Sequence, residues 1–229
     1  MAAKQLKYII PLGMLYVTAL ISANLVGIKV IHFGFIALPA SILTFPLTFI
    51  LDDIFTEVYG YGYTRMIIWT ALACNVLLVL ILQITVWLPA IPSWHFQHAY
   101  AQIFLLVPRI VIASFISTPT GQFVNAYVLA KLKLRTRGKA MGLRLVGSTA
   151  VGAFTDSVIF IGIAFLGIVP LHIIFIMIAS QTIFKIAYEV ILLPVSLWLI
   201  AWLKRNEHLN HFDYHTNFNP FRLRANKGD

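Results

Sequence analysis

The sequence predicts an all-α polytopic membrane protein: a bundle of six transmembrane helices with both termini in the cytoplasm. Three observations predict it. Of 229 residues, 60% are hydrophobic and only 11% charged, with mean hydropathy +0.87, whereas soluble domains carry about 25% charged residues. The apolar residues fall into runs long enough to cross a bilayer, which takes about 20 residues. Lysine and arginine gather at alternate connectors, the asymmetry that orients a polytopic chain.

The first run, 7–31, follows Lys4 and Lys7 and so begins like a signal peptide. It continues past Ala23 to Ile31, beyond the roughly 7–15 residues of a signal-peptide core, and is expected to stay as the first helix. The second run, 35–57, lies between His32-Phe33-Gly34 and Gly60-Tyr61-Gly62. The third, 64–90, stops at Pro89 and Pro92. The fourth, 100–130, leads into the basic stretch 131–139. The fifth, 142–168, ends at Gly167 to Pro170. The sixth, 172–203, precedes a basic tail, 204–229, expected to be cytoplasmic and solvated. Residues 1–203 thus read as one transmembrane domain.

Orientation follows from the cations. Lys4 and Lys7, Arg65, the five basic residues of 131–139, and Lys204, Arg205, Arg222, Arg224 and Lys227 all fall on one side. The connectors 91–99 and 168–171 carry none, and only Lys29 lies near a span end on the other side. The positive-inside rule makes the basic side cytoplasmic. The net charge of +9 therefore points to anionic lipid headgroups and not to nucleic acid. Cys74 is the single cysteine, which excludes an intrachain disulfide and a CxxC metal site.

Charges inside the runs carry the functional signal. The chain has 8 acidic residues, and three of them, Asp52, Asp53 and Glu57, fall within one turn and a half at the end of an apolar stretch. A charge in hydrocarbon costs at least about 2.5–3.5 kcal/mol and usually faces a bundle interior or a pathway. Carboxylates at a helix C-terminus also oppose the helix dipole, so a cationic partner is expected, with Arg65 or Arg144 to supply it. Positions three and four apart share a helix face. On the fourth segment Ser114, Ser117, Thr118, Gly121 and Asn125 form such a face, with Gln122 at its margin and Pro119 interrupting the backbone ladder. Arg109 lies off that face. On the fifth, Ser148, Thr149, Gly152, Thr155 and Asp156 align. On the sixth, Gln181, Thr182, Lys185, Tyr188 and Glu189 align, with Lys185 placed to pair along the helix with Glu189 or across to another helix. The first segment adds Thr18, Ser22 and Lys29 on one face and Asn24 elsewhere. The bland counterparts of these readings are helix packing through small and hydroxyl residues, snorkelling of Lys29 and a structural ion-pair network. Two stacked three-helix halves find only weak support, an acid-bearing helix in each half.

No metal site or cofactor is expected: His208, His211 and His215 have helical spacing but no acid or cysteine completes a motif. An enzyme is not expected either, because no histidine lies within a span to serve a rhomboid-type serine or a prenyl-protein protease.

The strings Asn24 to Lys29, Phe45-Pro46-Leu47-Thr48-Phe49 and Asp53-Ile54-Phe55-Thr56-Glu57-Val58-Tyr59-Gly60 resemble the hallmark region of the queuosine precursor transporter (YhhQ/VUT) family. Further pieces follow in order: Arg109 to Ser114, Gly121 to Asn125, Ser148 to Ser157, and Lys185 to Glu189 before Pro194. Together they cover roughly residues 8–203. The resemblance implies a six-helix inner-membrane importer of 7-cyano-7-deazaguanine and 7-aminomethyl-7-deazaguanine, bases that feed queuosine synthesis in tRNA. It implies a purine-like small-molecule substrate and a lipid environment as partners, and leaves a homo-oligomer open. A guanine-like edge offers two adjacent N–H donors and a carbonyl. A carboxylate can accept both donors and an amide can answer the carbonyl. The expected assignments are Asp156 or Glu189 for the donor edge, Gln122 and Asn125 as orienting amides, and Lys185 and Arg109 to balance charge. Asn24, Tyr188 and Phe45 complete the lining, with Phe154 and Phe184 as further stacking candidates. Asp53 and Glu57, with Asp52 and Lys29, are expected to gate the inner side or to couple protons. The alternative is a substrate-binding subunit of a vitamin importer energised by a separate ATPase module, for which Ala19 and Ala23 offer a thin docking face.

Overall fold

A computed structural model describes residues 6–26, 29–33, 36–105, 108–167, 170–214 and 216–221. Seven α-helices and one two-stranded hairpin form among them: α1 (Ile9–Val26), β1 (Val30–Phe33), β2 (Ile36–Pro39), α2 (Phe45–Ile54), α3 (Tyr61–Trp87), α4 (Gln97–Leu105), α5 (Pro108–Arg135), α6 (Met141–Phe165) and α7 (Leu171–Glu207). By length and composition α1, α3, α6 and most of α7 can each cross a membrane. α5 has the length, 28 residues or about 42 Å at 1.5 Å per residue, but the polar face around Gln122 and Asn125 lowers its hydropathy.

The second predicted segment is not one helix over 35–57. β1 and β2 pair antiparallel, Val30 opposite Pro39 and Phe33 opposite Ile36, and a 3₁₀ turn over Ala40–Leu43 leads to α2. Proline supplies no backbone N–H and disfavours α geometry in the residue before it. Pro39 and Pro46 therefore defer the helix to Phe45, where Pro46 sits in the first turn and its missing donor is not needed. α2 continues as a π-helical turn over Phe55–Tyr59. The two together have 15 residues, about 22 Å, short of the roughly 30 Å hydrocarbon core. The fourth predicted segment, 100–130, is likewise divided, into α4 and an α5 that starts at Pro108.

Gly60 stops the π-turn with φ +91° and starts α3. A Cβ there would lie 2.2 Å from His211 Cδ2, so both the backbone angle and the close approach require glycine.

α5 and α6 pack along each other more extensively than any other pair. At their crossing the contacts are reciprocal. A Cβ on Gly121 would sit 2.6 Å from Asp156 Cβ and 2.9 Å from the Gly152 carbonyl oxygen, and one on Gly152 would sit 2.7 Å from Asn125 Cβ and 2.8 Å from the Gly121 carbonyl oxygen. The sequence repeats in step with this geometry. Ser117-Thr118-Pro119-Thr120-Gly121-Gln122-Phe123-Val124-Asn125 on α5 matches Ser148-Thr149-Ala150-Val151-Gly152-Ala153-Phe154-Thr155-Asp156 on α6. Antiparallel helices carrying one motif place Asn125 and Asp156 in equivalent positions on opposite sides of the crossing. Gly121→Ala should force the two backbones apart and cost about 1–3 kcal/mol, the usual range for overpacking, read as a lower unfolding midpoint in detergent. An unchanged midpoint would show that the crossing yields without cost.

An apolar core at one end of the bundle joins α1, α2, the π-turn, α3, α5, α6 and α7 through Tyr16, Ile54, Phe55, Ile68, Leu129, Leu145 and Ile200. The outward faces remain apolar and exposed, as at Leu80, Ile84, Ile191, Val195 and Trp198. Such surface is costly in water and suited to lipid.

Candidate functional site

Four helices bring the interior acids together at two levels. At the first level Asp52 and Asp53, both fully buried, project from the last turn of α2. The Asn125 amide on α5 bridges them, donating to Asp52 Oδ2 at 2.9 Å and to Asp53 Oδ1 at 2.7 Å. Thr149 on α6 donates to Asp53 Oδ2 at 3.5 Å, and Glu189 on α7 is close enough to Asp53 for the two carboxyl groups to interact.

Glu57 does something different. It lies on the π-turn, fully buried, and takes three cations. Arg144 of α6 donates from Nη1 to Oε2 at 2.5 Å and from Nη2 to Oε1 at 3.2 Å. Lys204 of α7 donates to Oε1 at 2.5 Å. Lys133 of α5 stands 3.5 Å from Oε1 and donates to the Glu57 carbonyl oxygen at 2.5 Å. One carboxylate thereby ties the π-turn to α5, α6 and α7. Of the two arginines expected beside the acids, Arg144 reaches Glu57, while Arg65 donates to the carbonyl oxygens of Asn217 and Asn219 at 2.7 and 2.8 Å.

At the second level Asp156 of α6 forms an ion pair with Lys185 of α7. Both are buried. Lys185 thus pairs across helices with Asp156. Nearby on α5, Gln122 accepts a hydrogen bond at Oε1 from the Tyr16 hydroxyl at 2.5 Å. Asn24 donates to Asn75 Oδ1 at 2.6 Å. Gln122, Asn24, Asn75, Ser114 and Thr118 border a narrow cleft between α1, α3 and α5 of about 10 Å³, room for about one water. That cleft is too small for a ring-sized molecule. Beside it, sharing Leu72, Phe115 and Pro119, lies a wider apolar cleft of about 620 Å³ lined by Trp69, Phe123, Tyr127, Phe218 and Phe221.

The remaining sequence candidates separate. Lys29 is exposed in the turn before β1, away from both clusters. Tyr188 is half-buried beside Glu189 on α7. Phe154 is 54% exposed on the outward face of α6 and does not line the interior. The side chains of Phe45 and Arg109 lie outside the described residues.

The tail is not a solvated appendage over 208–221. After α7 it folds back across the basic end of the bundle. Asp213 accepts from the Tyr61 backbone N–H at 3.1 and 3.3 Å, capping α3. Glu207 accepts from Tyr8 N–H at 2.8 Å and from the Tyr59 hydroxyl at 3.2 Å. His211 packs on Gly60, the Phe212 ring sits 4.9 Å from Lys133 Nζ, and Trp69 donates to the Pro220 carbonyl oxygen at 2.5 Å. His215 lies outside the described residues.

Among the described residues several buried side-chain atoms have no hydrogen-bond partner: Asp52 Oδ1, Asn125 Oδ1, Asp156 Oδ1, Gln181 Oε1 and Glu189 Oε1 as acceptors, Gln122 Nε2 as the dedicated donor, and the hydroxyls of Ser117, Ser157 and Thr182. Buried polar atoms are ordinarily satisfied. An interior with five open acceptor oxygens, one amide donor and three hydroxyls that can serve as either is able to receive a ligand that carries both N–H groups and an acceptor. Sequence reasoning named Gln122, Asn125, Asp156 and Glu189 but missed Tyr16, an aromatic in an apolar helix with nothing in its own spacing to mark it. It also missed the nine-residue repeat, which was legible in the sequence by aligning α5 with α6 at an offset of 31 positions.

Residues 39–199 match the family described as putative vitamin uptake transporter. The chain is 28% identical over 178 residues to the probable queuosine precursor transporter of Bacillus subtilis (strain 168), covering 77% of each protein. It is 27% identical over 139 residues to the queuosine precursor transporter of Escherichia coli (strain K12), covering 57% of this chain and 60% of that one. No solved structure matches. The family match runs from the end of β2 through most of α7 and takes in Asp52, Asp53, Glu57, Asp156 and Glu189; the protein is a multi-pass membrane transporter, and it belongs to the putative vitamin uptake transporter family.

Proposed function

We propose that this protein imports 7-cyano-7-deazaguanine, and its 7-aminomethyl counterpart, across the bacterial inner membrane. The observation that carries the reading is the acceptor-rich set of unpartnered buried atoms between α2, α5, α6 and α7. The ring N–H and amino group of a deazaguanine supply donors to Asp156 or Glu189, and its carbonyl takes a hydrogen bond from an amide. The names of the two relatives agree with that chemistry. In this reading the chain crosses the membrane six times. The hairpin, 3₁₀ turn, α2 and π-turn together make one crossing and α5 another, in addition to the four apolar helices, and the basic end that holds Lys133, Arg144 and Lys204 faces the cytoplasm with both termini. Asp53 and Glu189 carry the coupled proton, and Glu57 with its three cations closes the inner side.

The test is uptake by the purified chain in liposomes, with guanine as competitor, with and without an inward proton gradient. Saturable uptake accelerated by the gradient is the expected result. Binding without uptake would instead assign the chain the role of a subunit awaiting an energising partner. No binding of either deazaguanine would overturn the substrate.

A further inference from the structure

Tyr16 lies on α1, outside the polar faces that hold the carboxylates, yet it is fully buried. Its ring packs edge-on against Phe55 at 5.9 Å between centroids, which fixes where the hydroxyl points. That hydroxyl donates to Gln122 Oε1 at 2.5 Å. A carboxamide has one acceptor oxygen and one NH₂ donor. Holding the oxygen against a phenol leaves the nitrogen as the free end, and Gln122 Nε2 is indeed buried without a partner. The other buried amide and carboxyl atoms without a partner are all oxygens, on Asp52, Asn125, Asp156, Gln181 and Glu189. Gln122 is thus the only one of these side chains oriented to give a hydrogen bond and not to take one.

We infer that Tyr16 is a specificity-determining positioning residue: by holding the Gln122 amide oxygen, it presents the amide nitrogen as the donor that selects a planar base with a ring carbonyl. The inference rests on the deazaguanine reading and adds to it the residue that sets the polarity of the amide. Without the phenol the Gln122 amide can turn and present its oxygen, and the interior loses its one amide donor without a partner. A base lacking the carbonyl is rejected by the wild type because it leaves the Gln122 NH₂ buried and unpaired. In the variant that penalty disappears.

The experiment measures binding of two probes to the full chain in detergent: 7-cyano-7-deazaguanine and the analogue with C–H in place of the ring carbonyl, which also lacks the adjacent ring N–H, so that the change in preference on substitution of Tyr16, and not the wild-type preference itself, reports the carbonyl contact. Tyr16→Phe keeps the ring and removes only the hydroxyl. The expected result is about a ten-fold loss for the carbonyl base, the scale of one hydrogen bond, with little change for the other probe and a folded protein whose Tm falls only by the few degrees that one lost buried hydrogen bond brings. The preference between the two bases therefore shrinks. Gln122→Glu, which replaces the donor by an acceptor, should shrink it further. Equal weakening of both probes by Tyr16→Phe, or no change in either, overturns the role of Tyr16 while leaving the deazaguanine reading intact. Failure of the wild type to bind either base overturns both.

Discussion

Replacing Glu57 with Gln should destabilise the protein by about 3–5 kcal/mol, the scale for removing one partner from a buried charge cluster. The carboxylate is fully buried and stands between Arg144, Lys133 and Lys204, of which the first two are also about 1% exposed. With a neutral amide in its place, three cations stand close together without that counter-charge, held by bonds to backbone carbonyls, such as Lys133 to Glu57 O and Arg144 to Lys139 O at 2.9 Å, and by the Phe212 ring beside Lys133. Burying charge without a counter-charge is among the costliest changes a protein interior meets. Thermal unfolding in detergent checks this, and Glu57→Asp, which keeps the charge and shortens its reach, should fall between wild type and Glu57→Gln. A Glu57→Gln protein with wild-type stability would show that the carboxylate is not what holds the π-turn to α5, α6 and α7.

The same cluster shows how much the sequence reveals. That Asp52, Asp53 and Glu57 were not decoration could be read from their density in an apolar chain, and that Glu57 needs a cation could be read from the helix dipole. The partner could not be read with certainty, because Arg144 lies 87 positions away and Lys204 147 away; only the tertiary fold brings them together. Hydropathy marks α1, α3, α6 and α7 well, since length and apolarity are local properties. It fails over 35–57, where an equally apolar stretch folds as a hairpin, a 3₁₀ turn and a short helix because Pro39 and Pro46 govern the backbone. The tail escaped for the opposite reason. Its charges suggest solvent, but Asp213 and the aromatic residues Phe212 and Phe218 find partners on α3 and α5 that no local pattern announces. Tyr16 is a similar case: its importance comes from one hydrogen bond to a residue 106 positions on.

The second large effect is expected at Asp156 and Lys185, where a structural ion pair and a transport group can be told apart by replacing both. Asp156→Asn alone leaves the Lys185 ammonium without this carboxylate in a buried site, and Lys185→Met alone leaves the carboxylate without this ammonium. Each should cost about 3–5 kcal/mol. Asp156→Asn with Lys185→Met removes both charges, and replacing a buried ion pair by neutral groups is often close to neutral for stability. Unfolding measurements on the four proteins give the coupling between the two sites, and stability should return substantially in the double variant. Uptake should not. If Asp156 accepts the N–H edge of the base, the double variant is folded but transports about ten- to a hundred-fold more slowly, because a bond to a charged acceptor contributes about 1.5–3 kcal/mol. If uptake returns along with stability, the pair is structural and the donor edge of the base belongs to Glu189. The repeat on α5 and α6 sharpens this contrast, since Asn125 occupies the position equivalent to Asp156 and already carries an amide there. The asymmetry between Asn and Asp is the one chemical difference at the ends of the two repeats, and the double variant erases it.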